Sequence, residues 1–66
     1  MKLFIFMRRT GAISCLGIIA EDYEDALKVM GSDWREDVKD EKYPLKLEKE
    51  FELKEGTRGE AFSIEE

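Results

Sequence analysis

Sixty-six residues with a formal net charge of −5, one cysteine and no histidine leave a narrow range of chemistry open. A chain this short buries only about 60% of the surface its unfolded form exposes, one cysteine closes no internal disulfide, and the commonest zinc ligand is missing. Packing must supply the stability, with oligomerisation as the other resource.

The first predicted element is Lys2 to Arg9, KLFIFMRR. Leu3, Ile5 and Met7 alternate with Phe4 and Phe6, so both faces are apolar, as in a strand central to its sheet and covered on two sides. Arg8 and Arg9 return it to the surface, and Thr10-Gly11 supplies the backbone freedom of a tight hairpin. Ala12 to Ala20, AISCLGIIA, is the returning strand, with Ile13, Cys15, Gly17 and Ile19 on one face and Ser14, Leu16 and Ile18 on the other. Gly17 marks a bulge or a close approach of the covering helix. The competing reading is a contact surface for a ligand or a partner backbone.

Glu21 to Gly31, EDYEDALKVMG, carries the marks of a short helix. Asp22 is a good N-cap, Glu24 and Asp25 place negative charge in the first turn, and Gly31 stands where a left-handed C-cap is expected. Tyr23, Ala26, Leu27 and Met30 form one apolar stripe that packs on the sheet. Ser32 to Asp37 can start a further helical turn, with Asp33 as cap, Glu36 three residues on, and Trp34 and Val38 one turn apart. Lys39 to Lys42, KDEK, is a charged connection ending at Tyr43-Pro44, where proline blocks a helix and suits the start of a strand.

Tyr43 to Lys54, YPLKLEKEFELK, has the clearest pattern in the chain. Tyr43, Leu45, Leu47, Phe51 and Leu53 take alternate positions, broken only by Lys49, and charges fill the positions between from Lys46 onward; this is a strand with one face in a core and one in water. Glu55 to Gly59, with its two glycines, reads as a hairpin loop. Glu60 to Glu65 returns with Phe62 and Ile64 opposite Ala61, Ser63 and Glu65. The expected fold is a single α+β domain of order β-β-α-β-β, an antiparallel sheet of about four strands with one helix packed on one face. Strand order across the middle stays open, and a parallel contact of the first and third strands is also allowed.

Enzymatic chemistry finds little support. Histidine is the usual general base near neutral pH, and the serine and cysteine triads depend on it. Cys15 lies mid-strand with no neighbouring basic residue or helix start to activate it, so a buried, inert thiol is expected. Neither acidic cluster, Glu21 to Asp25 or Asp33 to Glu41, has the spacing of a calcium loop. Gly56-Thr57-Arg58-Gly59 lacks the lysine and the strand-to-helix setting of a phosphate loop and reads as a turn. Arg8, Arg9 and Arg58 are candidates for a small basic patch at the hairpin ends, with exposed turn charges as the plainer account. The longest apolar run, Leu3 to Met7, is far short of the roughly 20 residues of a membrane span and no small-residue cleavage site follows a hydrophobic stretch, so a soluble, unprocessed protein is expected; the lone cysteine fits a cytoplasmic setting, and no cofactor or bound metal is expected.

Charge is spread unevenly. Residues 1–20 hold Lys2, Arg8 and Arg9 and no acid, a balance of +3, whereas residues 21–66 hold eight basic and sixteen acidic residues, a balance of −8. Direct binding to nucleic acid is disfavoured, since the counterion-release term is lost; a protein partner with a basic surface is favoured. Glu21, Asp22, Glu24, Asp25, Trp34, Glu36 and Asp37 are the candidate partner-binding residues, with Trp34 the aromatic anchor. The competing account of Trp34 is that it closes one end of the core. The charged row Lys46, Glu48, Glu50, Glu52 and Lys54 reads as a solvated face that also discourages edge pairing.

The junction Ala20 to Leu27, AEDYEDAL, resembles that of the small hairpin-and-helix proteins carried by phages and conjugative elements: a strand ending in alanine, acids capping the helix, and an alanine-leucine pair packing it on the sheet. The resemblance spans about the first half of the chain. It implies function by surface binding, with anti-CRISPR inhibitors among the similar small acidic folds, and brings no catalytic residue. The first expectation is therefore an accessory protein that occupies a basic surface on a host nucleic-acid-handling protein. The second is a self-associating domain, because one helix cannot cover both faces of the first strand.

Overall fold

The computed structural model describes residues 1–9 and 13–65; the Thr10-Gly11 turn lies outside them. Alternation in the first part of the chain gives two strands, β1 (Lys2–Arg9) and β2 (Ile13–Ala20), paired antiparallel from Lys2 opposite Ala20 to Arg9 opposite Ile13. Two short helices come next, α1 (Tyr23–Val29) and α2 (Ser32–Val38), then β3 (Lys46–Glu52) and β4 (Gly59–Glu65). The four strands form one sheet of order β3-β1-β2-β4, antiparallel throughout.

The antiparallel α+β sheet and the central place of β1 agree with the sequence pattern. The single helix does not, because Ser32–Val38 forms a helix of its own. Two helices in series are what the route requires. The chain leaves β2 at the Ala20 end and must reach the Arg9 end before β3 descends beside β1; each seven-residue helix spans only about 10 Å, against about 25 Å for a strand. The same descent makes the contact of β1 with β3 antiparallel, not parallel.

The expected hairpin of the last two strands is absent: β3 and β4 occupy opposite edges, and residues 53–58 cross between them at the end of the sheet where Leu53 N–H donates to Met1 O at 3.0 Å. A third-fourth hairpin would leave one side of the apolar central pair with unpaired backbone groups. Splitting the two charged strands caps both sides.

Asp22 caps α1 as expected, its carboxylate accepting from Asp25 N–H at 2.8 Å. Gly31 is not a left-handed C-cap. Its φ is −66°, it is the N-cap of α2, and Met30 ends α1 in an extended conformation. The second helix begins at once, so no reversal of the chain is needed there. Asp33 accordingly lies inside the first turn of α2 rather than capping it.

Both helices cover one face. Phe4, Phe6, Leu16, Ile18 and Ala20 from the sheet are buried against Ala26 and Met30 of α1 and Leu45 at the approach to β3, with Leu27, Val29, Trp34, Val38 and Leu47 packed around them. Tyr23 keeps its ring 6.0 Å from that of Phe6 while remaining exposed.

A bulge changes the reading of β3. Phe6 faces Leu47 but Ile5 faces Lys49, so Glu48 is an extra residue. Leu45 and Leu47 therefore point to the helices, whereas Lys49 and Phe51 fall on the other side of the sheet with Ile5 and Leu3. The single apolar face expected of Leu45, Leu47, Phe51 and Leu53 is thus divided between two. A second bulge lies in β4, where Gly17 faces Phe62 and Ile18 faces Glu60, leaving Ala61 as the extra residue.

Candidate interaction surface

The face away from the helices is apolar and, among the described residues, carries no helix, with the crossing at Gly56 approaching it beside Ile19. Its centre is built by the second set of alternating residues in β1 and β2, namely Leu3, Ile5, Met7, Cys15 and Ile19, all half-buried. Cys15 is thus partly accessible, in contrast to the fully buried thiol expected. Edge strands extend the patch with Phe51 on one side and Phe62 and Ile64 on the other, exposed by 45%, 37% and 52%. Gly17 lies in the middle with the Phe62 ring across it, where any Cβ would collide with ring carbons. The close neighbour expected at Gly17 is therefore a side chain of the next strand and not the covering helix.

Cations collect at one corner of this face. Register places Arg9, Lys46 and Lys49 on the open side, and none of them forms an ion pair among the described residues. Next to them is a concavity of about 240 Å³ lined by Met7, Arg9, Lys42, Tyr43, Pro44, Lys46 and Glu48. The Lys42 ammonium stands 5.4 Å from the centre of the exposed Tyr43 ring, within cation–π range.

The acidic residues chosen from the sequence lie on the helical side, in two groups, and several of them hold the fold. Asp22 caps α1. Asp25 receives the Arg58 guanidinium through Nε and Nη2 and accepts from Glu21 N–H at 3.1 Å. The Arg58 bonds first, and the Glu21 amide second, hold its carboxyl at about 2. Asp37 binds Arg8 at 2.6 Å beside Asp40, which binds it at 2.9 Å. The Asp40 carboxyl is lowered chiefly by the backbone N–H groups of Tyr43 and Lys42, with Arg8 a smaller cause. Trp34 is half-buried and packed against the core. Glu21, Glu24 and Glu36 remain exposed.

Arg8, Arg9 and Arg58 form no common patch. Arg8 is engaged by α2 at the Ser14 end of the sheet, and Arg58 by α1 at the Ile19 end. Each answers an acid that the sequence displays without its partner.

Among the described residues no group of three or more histidine, cysteine or acidic side chains is placed to hold a metal, and no helix is long and apolar enough to cross a membrane. No family model, curated protein or solved structure matches the chain.

Proposed function

We propose that the chain is a non-catalytic protein-binding module that works as a homodimer, its open sheet faces packed together and its acidic helical layers turned outward. The observation that carries this reading is the apolar face that no helix covers. Four strands about 4.8 Å apart and about 25 Å long give a face of roughly 450 Å² in plan, comparable with the largest apolar patch of a typical monomer. Two such faces, with their side-chain relief, approach the roughly 1,000 Å² of a specific interface.

A second copy is the occupant that the stability of the chain favours. The core contains eight fully buried residues, two of them alanines, which is small even for this length. A cover that adds to folding stability must always be present, and another copy of the chain is. Sedimentation and light scattering test it: wild type is expected at twice 7.7 kDa, and Ile5→Glu at the monomer mass with unchanged secondary structure. A wild-type monomer at every concentration refutes the homodimer.

The exposed carboxylates Glu21, Glu24 and Glu36 favour a role for the outer layer as well. They present negative charge, at either side of the dimer, to a protein with a basic surface, in keeping with the resemblance to phage and mobile-element accessory proteins that inhibit nucleic-acid-handling proteins of the host. Reversing Glu24 and Glu36 to lysine should abolish binding to such a nuclease or CRISPR effector in calorimetry. Unchanged binding heat would remove this role.

A further inference from the structure

We infer that the two copies meet about a two-fold axis parallel to the strands, so that Ile64 of each copy seats in the concavity at the β3 corner of the other; this rests on the homodimer reading and specifies its geometry. The ladders place Lys46, Met7, Cys15 and Ile64 in one row across the sheet. At the β4 end of that row stands Ile64, exposed by 52%, more than the other exposed large apolar residues, Phe51 at 45% and Phe62 at 37% among them. At the β3 end lies the concavity of about 240 Å³, with Met7, Tyr43 and Pro44 as its apolar walls and Arg9, Lys42, Lys46 and Glu48 as a charged rim. A knob and a hole thus occupy the same face, in the same row, at opposite edges.

A two-fold axis along the strands exchanges the edges and keeps the row. It carries each knob over the partner's hole, and the contact is made twice, as an isologous interface requires. The next row supports the same operation. Lys49, Ile5, Gly17 and Phe62 align across the sheet, so Lys49 comes over the ring of the partner's Phe62, a favourable place for a cation losing water. An in-plane axis across the strands would instead lay β3 on β3 and bring Lys49 against the partner's Lys49, two like charges in a drying layer. It would also leave both knobs without holes. The twist of aligned sheets, about 30°, displaces the edges by only a few ångströms, within side-chain reach.

The test uses engineered cysteines in a Cys15→Ser background. Positions 46 and 64 lie on opposite edges, three strand spacings or about 14 Å apart within a chain. Across a face-to-face sheet spacing of only about 10 Å, Lys46→Cys with Ile64→Cys should therefore be joined between chains by a short bismaleimide reagent, whereas Lys46→Cys with Phe51→Cys should not. Ile64→Ala should raise the dimer dissociation constant about tenfold or more without altering the circular dichroism of the monomer. A dimer that cross-links through 46 and 51, or through Ile64→Cys alone as edge-to-edge pairing of β4 would, or that ignores Ile64→Ala, overturns this orientation and leaves the homodimer standing. A wild-type monomer overturns both.

Discussion

Gly17 is the residue whose substitution should report most directly on the open face. A side chain there meets the Phe62 ring of the adjacent strand, an arrangement in which an aromatic covers backbone that glycine leaves bare. Alanine would push the ring off the sheet. Gly17→Ala should cost about 1 kcal/mol in urea denaturation, as overpacking does, and close to nothing in a Phe62→Ala background. Equal costs in the two backgrounds would show that the ring is not what the glycine accommodates.

Among elements, the crossing from β3 to β4 is held by one ion pair, Arg58 on Asp25 at the start of α1. The Asp25 carboxyl lies lowered, at about 2 against 3.8 for the free group, through the Arg58 bonds first and the Glu21 amide second. A carboxyl lowered in the folded state stabilises it above the unfolded value, and that contribution fades as pH falls through the folded one. Arg58→Ala should accordingly be less stable than wild type above about pH 4, with the two curves converging as the pH falls toward 2. A gap that stays constant through this acid range would assign the role of Arg58 to packing. At the other end of the sheet, Arg8 does the equivalent for α2 through Asp37 and Asp40, a helix that fully buries none of its own residues.

For the molecule as a whole, the proposed homodimer would make thermal stability depend on concentration, because association draws on the folded state alone. The melting temperature should rise with each tenfold increase in chain concentration; an invariant midpoint would contradict the dimer. Much of this architecture is legible in the residues. Phe4 and Phe6 against Leu3, Ile5 and Met7 show a strand apolar on both sides, and Asp22 shows where α1 begins. The positions of β3 and β4 are not legible, since pairing of strands distant in the chain leaves no local mark. Nor are the partners of Asp25 and Asp37 legible, because Arg58 and Arg8 lie 33 and 29 positions away. Half of the open face is visible as unmatched alternation in β1 and β2; Phe51 is hidden because an apolar residue at an odd position looks the same on either side of a bulge.

The two bulges make the count of residues in the edge strands as consequential as their identity. Each shifts the phase of a two-step repeat, so that the β3 residues before Glu48 keep one sense and those after it keep the opposite one. Straightening the bulge with Glu48 retained and the later pairs in place would exchange inside and outside for Leu45 and Leu47, although every letter of the strand stayed the same. β1 and β2, which pair without a phase change along their whole length, hold no such slack, and the frame of the sheet is kept by its middle while its margins are free to be reset.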